Sequence, residues 1–225
     1  NNSQGSLLAY TTNSVITKNN ITNGILVRLS KNNIIYHNNI VGKVDLYYLD
    51  ENFWDDGYPS GGNYWSNYNG TDTKNGPNQD QLGSDGIGDT RYIVDGYNFD
   101  RYPLMGPLSV FDAGTWGDTS YSVEVVSNST VSGFSFNQPD KLISFNATGA
   151  DGTVGFCRVT IPNALLGGPY VISVNDAPPV TLVETSNGTH TFLYLTYSHS
   201  TKQVNIIGTT VIPEFPPSLI LPLFM

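Results

Sequence analysis

Asp80, Asp85 and Asp89 stand within ten residues of one another in QDQLGSDGIGDT, residues 79–90, with Gly83, Gly86 and Gly88 between and beside them. Three carboxylates on so pliable a backbone suggest binding of a hard cation. Calcium takes about six to eight oxygens at roughly 2.3–2.6 Å, from carboxylates, amides and backbone carbonyls. The glycines let the chain curl so that a carbonyl, that of Ile87, joins the three carboxylates. The spacing is not that of a twelve-residue EF-hand, which ends on a glutamate. The expectation is a calcium loop built from Asp80, Asp85, Ile87 and Asp89.

Charge supports a counter-ion. Residues 45–100 hold eleven acids against Lys74 and Arg91, a local charge of −9 that equals the charge of the whole chain. The remainder is neutral. Such a segment repels itself unless a cation or a partner compensates it. The same balance excludes nucleic acid as a partner, because phosphate binding needs a basic footprint.

Other reactive groups are sparse. Asp50-Glu51 and Asp55-Asp56 could supply paired carboxylates, as a glycosidase needs, but their place in the acidic segment fits cation binding or solvation. His37, His190 and His199 are too dispersed for a copper cluster, which wants grouped His, Met or Cys, and each reads as a surface residue. Cys157 lies in the strand-like GFCRVTI and faces a core, which leaves no disulfide framework and no nucleophile. There is no phosphate-binding glycine loop and no G-x-S-x-G elbow. No catalytic residue is expected within this stretch.

Six N-x-S/T sequons, at Asn1, Asn20, Asn69, Asn128, Asn146 and Asn187, are candidate glycosylation sites on the outside of a secreted protein. Tyr58, Tyr64, Trp65 and Tyr68, joined by Tyr92 and Tyr97, lie among acids and carboxamides. They could stack on sugar rings, or could form the core of a segment that has few aliphatic residues.

The elements that must position these groups fall into zones. In residues 1–44, NSVITKNNIT at 13–22 lines up with NNIIYHNNIV at 32–41, an offset of 19. Short β-branched runs between asparagines, repeating near 20 residues, predict the last coils of a parallel β-helix. Asparagine suits the corners and can hydrogen-bond from coil to coil. Two coils do not make a stable solenoid, so further coils are expected ahead of residue 1. Residues 45–109 lack periodicity but are rich in Trp, Tyr, Gly and Pro, which predicts a loop-rich acidic cap over the last coil. Residues 110–208 alternate apolar and polar positions in eight runs, beginning at 121–126 and ending at 202–208. That pattern predicts an antiparallel β-sandwich of immunoglobulin-like type, with NALLGG at 163–168 able to form one helical turn. Residues 209–225 join a Pro-rich stalk to the start of an apolar membrane anchor that does not pack into the sandwich.

NFWDDGYPSGGNYWSNYNGTD at 52–72 and GSDGIGDTRYIVDGYNFDRYPLM at 83–105 resemble the end of archaeal cell-surface proteins of the NosD-like right-handed parallel β-helix family. The likeness covers residues 1 to about 107. The later β-domain and VIPEFP with its apolar tail are similar to segments that follow such helices. The resemblance implies an extracellular, membrane-anchored protein with a structural or adhesive role, whose partners are surface glycans or neighbouring surface proteins. It equally admits a carbohydrate-binding or carbohydrate-active protein whose active site lies in the missing N-terminal coils.

Overall fold

The computed structural model describes residues 6–47 and 51–212. Asn1, Asp50 and the apolar tail from 213 onward lie outside the described residues, and so do the expectations attached to them. The described chain is all-β and contains no helix. It divides into two compact units. Among the described residues, the first comprises 6–47, 51–109, 126–128 and 156–158, and the second comprises 110–125, 129–155 and 159–212.

The first unit is built on the 19-residue period. β1 (Ser6–Ala9), β2 (Val15–Ile16) and β3 (Asn20–Ile21) are followed by β4 (Ile25–Arg28), β5 (Ile34–Ile35) and β6 (Asn39–Ile40). β7 (Val44–Tyr47) and β8 (Tyr64–Trp65) continue the series. Each strand pairs in parallel with its successor: β1-β4-β7, β2-β5 and β3-β6-β8. Ile25 lies beside Val44, Ile16 beside Ile35 and Ile21 beside Ile40, so equivalent side chains stack on like neighbours. Ile21, Ile25, Val27, Ile35 and Ile40 are buried together with Trp54 and Trp65. Asn13, Lys18, Asn32 and His37 take positive φ at the bends between strands. The asparagines at 13 and 32 are residue types suited to that conformation.

After β8 the first unit continues as loops with two short antiparallel pairs. β9 (Lys74–Asn75) pairs with β10 (Gln81–Leu82), and β11 (Tyr92–Ile93) with β12 (Phe99–Asp100). A small apolar cluster of Ile87, Leu104, Leu108 and Val126 forms its second core, with Tyr58, Tyr64 and Tyr102 against it.

The second unit begins from long strands: β13 (Leu108–Trp116), β14 (Thr119–Ser127), β15 (Thr130–Asn137), β16 (Leu142–Thr148) and β17 (Val154–Pro162). β18 (Leu166–Gly167), β19 (Val171–Val174), β20 (Thr181–Ser186), β21 (His190–Ser198), β22 (Thr201–Ile207) and β23 (Thr210–Val211) complete it. Five strands form one sheet in the order β13-β14-β17-β21-β20, and four form another in the order β15-β16-β22-β19. Neither sheet closes on itself. Alternation sets the inward face: Ile143, Phe145 and Ala147 of β16 and Val204 and Ile206 of β22 are all fully buried. The residues 163–165 form a turn leading into β18 rather than a helical turn, and β18 is tied to β23 instead.

Candidate functional site

Polar side chains, rather than apolar ones, organise the first unit. Two asparagine ladders run along it in one direction. In the first, the Asn19 backbone N–H donates to Asn38 Oδ1 (3.0 Å) and the Asn38 N–H to Asn63 Oδ1 (3.1 Å). The Asn63 N–H then donates to Asp100 Oδ2 (2.7 Å). In the second, Ser14 donates to Asn33 Oδ1, Asn33 to Asn52 Oδ1 and Asn52 to Asn98 Oδ1, all through backbone N–H groups. The Asn98 N–H ends on Asp95 Oδ1 (2.6 Å).

Each inner asparagine works in both directions. Asn38 accepts through Oδ1 and donates through Nδ2 to the carbonyls of Ile16 and Tyr36 (both 2.9 Å). Asn63 does the same with the carbonyls of Ile35 and Trp54 (both 2.8 Å). Asn33, Asn38 and Asn63 are fully buried, so their donors and acceptors need these partners. Both ladders end on an aspartate, an acceptor that requires no further acceptor beyond it.

Asp100 shows why the last rung is acidic. Its Oδ2 accepts from the Asn63 N–H and from Trp65 Nε1 (2.8 Å), and its Oδ1 accepts from the Tyr102 N–H (3.0 Å). Complete burial pushes its carboxyl up to about 7, against the pull of these donors. Asp55, also buried, receives the Arg101 guanidinium at 2.5 Å and the Arg101 N–H at 3.0 Å.

The 80–89 stretch is likewise closed by side-chain acceptors. Asp85 is buried; its Oδ1 accepts from the Ile87 N–H (3.0 Å) and its Oδ2 lies 3.4 Å from Gln79 Nε2. Burial raises its pKa, while the Arg158 charge lowers it. Asp89 collects the N–H and hydroxyl of Thr73, the N–H of Lys74 and the hydroxyl of Thr71, at 2.8–3.2 Å. Burial pushes Asp89 up, but these bonds bring it below the ordinary carboxylate value. Asp80 is exposed. Ile87 is fully buried, and its backbone bridges to Leu104.

Asp72 is the acid that sequence reading passed over as a site residue. Its two oxygens accept the N–H groups of Asp85 (3.0 Å) and Gly86 (2.8 Å), thirteen and fourteen residues on. Burial pushes its carboxyl up to about 7, with the charges of Asp85 and Asp89 adding to the rise. Among the described residues, no three acidic, histidine or cysteine side chains are grouped closely enough to hold a metal. Of the carboxylates expected to converge on calcium, Asp85 and Asp89 serve different neighbours.

The aromatic residues divide. Trp65 is buried, stacked on Tyr92 at 4.1 Å and tilted against Trp54 at 5.6 Å, so it is core and presents no face to a sugar. Tyr58 and Tyr64 are half-buried against the second core cluster. Tyr68 is half-buried and donates its hydroxyl to the Thr90 carbonyl (2.6 Å). Tyr97 is exposed. A groove of about 410 Å³ lies elsewhere in this unit, between Lys43, Val44, Ser66, Asn67, Tyr92 and Val94. Sequence reading had named only Tyr92 of these. Lys43 precedes β7 and Val44 opens it, Ser66 and Asn67 follow β8 and Val94 follows β11, so no local motif marks them.

The histidines also depart from expectation. His37 and His199 are buried rather than on the surface. His37 Nε2 lies 3.1 Å from the Ser60 carbonyl. In the second unit, His199 lies between the hydroxyls of Ser129 (2.8 Å) and Thr153 (2.5 Å). Each ring is thus half-polar and satisfied indoors, which composition alone does not reveal. Cys157 is buried and unbridged.

Of the sequons, Asn69, Asn128 and Asn187 are exposed in loops or turns. Asn146 lies within β16, paired on both sides, and Asn20 lies in β3 with its Oδ1 accepting from Asn39 Nδ2 at 2.6 Å. No family model, curated protein or solved structure matches the chain.

Proposed function

We propose that the chain is a structural segment of an extracellular, membrane-anchored cell-surface protein. On this reading the first unit is the end of a NosD-like parallel β-helix with its cap, and the second is an immunoglobulin-like β-sandwich. The observation that carries it is the pair of one-way asparagine ladders, whose first rungs step by 19 residues and whose last rungs are Asp95 and Asp100. A ladder with a distinct last rung is a repeat structure with a built terminus, as solenoids need. Such an end stabilises an elongated scaffold and carries no chemistry of its own. Its partners are neighbouring surface proteins or surface glycans. Immunogold or protease-shaving of intact cells tests the location: antibody to the second unit should label whole cells, and labelling only after lysis would refute it.

Calcium enters this reading through charge alone. The local charge of −9 favours a counter-ion, while the oxygens of Asp85 and Asp89 already serve internal donors. If calcium neutralises this region, a chelator should lower the melting temperature of the first unit, and Asp85→Ala should remove that sensitivity. Identical melting with calcium and with chelator would remove calcium from the proposal.

A second reading, saccharide binding, is favoured by the groove beside Tyr92. It offers a tyrosine ring next to a hydroxyl, a carboxamide and an ammonium, the mixed lining of small-ligand sites. A glycan array decides it: binding lost in Asn67→Ala would support this reading, and no binding would retire it.

A further inference from the structure

Two of the sequons are the same tripeptide, Asn-Gly-Thr, at 69–71 and 187–189. The fold treats them differently. At 69–71 the threonine is engaged elsewhere: Thr71 Oγ1 donates to Asp89 Oδ2 at 3.0 Å. At 187–189, in the turn between β20 and β21, the threonine addresses its own asparagine. Thr189 Oγ1, which also lies 3.0 Å from His190 Nδ1, donates to Asn187 Oδ1 at 3.0 Å, and the N–H groups of Thr189 (3.1 Å) and His190 (2.9 Å) donate to the same oxygen. Asn187 is exposed, and its Nδ2 has no hydrogen-bond partner among the described residues.

This arrangement matters for chemistry at Nδ2. A carboxamide nitrogen is a poor nucleophile because its lone pair is delocalised onto oxygen. Three donors on Oδ1 stabilise the negative charge of the deprotonated amide, so an Nδ2 proton is easier to lose, and the deprotonated nitrogen is a better nucleophile than the neutral carboxamide. The same three bonds fix the amide plane while the nitrogen stays accessible. The other described sequons lack this combination. Asn128 Oδ1 accepts from the Phe156 N–H, Asn20 is tied to Asn39, and Asn146 sits inside a paired strand.

We propose that Asn187 is the preferred N-glycosylation acceptor of this chain; its biological setting rests on the extracellular reading above. The donor is a polyprenyl-pyrophosphate-linked oligosaccharide. The Nδ2–C1 bond forms as the C1–O bond to pyrophosphate breaks, the polyprenyl pyrophosphate leaves with the bonding pair, and the Nδ2 proton passes to a base of the transferase.

The test uses the folded 225-residue chain, a single-subunit oligosaccharyltransferase and that donor, with occupancy of each sequon followed in time by peptide mass spectrometry. Asn187 should be modified first. Gly188 has φ +89° and open space where a Cβ would stand, so Gly188→Ala keeps the sequon but strains the turn without a clash. It should slow modification at 187 about fivefold in the folded chain and leave the rate on a synthetic 182–193 peptide unchanged. Modification of any other sequon ahead of Asn187, or an equal rate in folded Gly188→Ala, would overturn the proposal. The same mapping on protein from intact cells separates the two readings. Glycan at Asn187 supports both, and no glycan at any sequon in cells, with Asn187 still first in vitro, overturns the surface reading alone.

Discussion

The two units solve the same problem, holding short β-strands in place, with different materials. The second relies on an apolar interior: long antiparallel strands bury apolar side chains, and fully buried Ile143, Phe145, Ile161, Leu193 and Ile206 exemplify it. The first has strands of two to four residues, too short to hold register by ladder bonds alone. It adds buried asparagines that bind backbone to backbone across each repeat, and buried aspartates that finish the series. An apolar core tolerates imprecision of shape, whereas a buried polar ladder demands that every donor and acceptor be matched.

The contrast should be widest in pH dependence. Asp72 and Asp100 have folded-state values pushed to about 7 by burial, above the roughly 3.9 of an unfolded aspartate. A group with a raised folded value contributes stability that is fully present below its unfolded value and is lost as pH rises through its folded value. The first unit should therefore lose stability between about pH 4 and pH 7, by at most about 1.4 kcal/mol per pH unit for each group. Asp89, whose value is depressed, acts oppositely and only as pH falls below the ordinary carboxylate range. Trp54 and Trp65 report the first unit and Trp116 the second, so urea titrations followed by fluorescence of single-tryptophan variants read the difference. A first unit equally stable at pH 4.5 and pH 7 would break this part of the comparison.

Removing one polar group should separate the units next. Asn33→Ala would strand the Ser14 N–H and take one of two donors from the Thr11 carbonyl and from Asn52 Oδ1, at a cost of about 1–3 kcal/mol. Ser144→Ala in the second unit removes one hydroxyl contact to Ser135 and should stay within about 0.5 kcal/mol. Chemical denaturation of both variants checks the ratio.

Glycine sharpens the comparison on a smaller scale. Gly24 and Gly152 share a φ of +80°, but a Cβ at 24 would stand 1.9 Å from the Lys43 carbonyl oxygen, while at 152 nothing lies within 4 Å. Gly152→Ala should cost about 1 kcal/mol from backbone conformation alone. Gly24→Ala should cost at least about 2 kcal/mol, because stacked repeats leave the backbone of the next one no room. Similar losses at both positions would mean that the repeats are less tightly stacked than the distances indicate.

Much of the strand layout is legible in the residues. The 19-residue offset is visible because each repeat needs the same β-branched residues and the same asparagines, and the pairing Ile16 with Ile35 follows it. The runs 154–162 and 190–198 are strands over their full length, because both are rich in β-branched and aromatic residues and bounded by turn residues. β13 escaped notice because Asp112 and Gly114 interrupt its pattern. The region after β8 is where sequence reading stopped. Its order comes from single carboxylates reaching backbone 13 to 46 residues away, as Asp72 reaches Asp85 and Asp55 reaches Arg101. Such bonds leave no period. The acids at 80, 85 and 89 looked alike in sequence, yet one is exposed, one buried and one surrounded by threonine and backbone donors.

The most direct test of the ladder is to place the terminal residue in the middle. Asn38→Asp keeps the size and the acceptor that Asn19 uses, but removes the Nδ2 that donates to the Ile16 and Tyr36 carbonyls and turns a carboxylate oxygen toward them. If inner rungs must both give and accept, denaturant unfolding at pH 7, followed by the fluorescence of Trp54 and Trp65, should show a loss of about 3 kcal/mol or more. An unfolding midpoint equal to that of the unsubstituted chain would contradict a one-way ladder that only its last rung can end in acid.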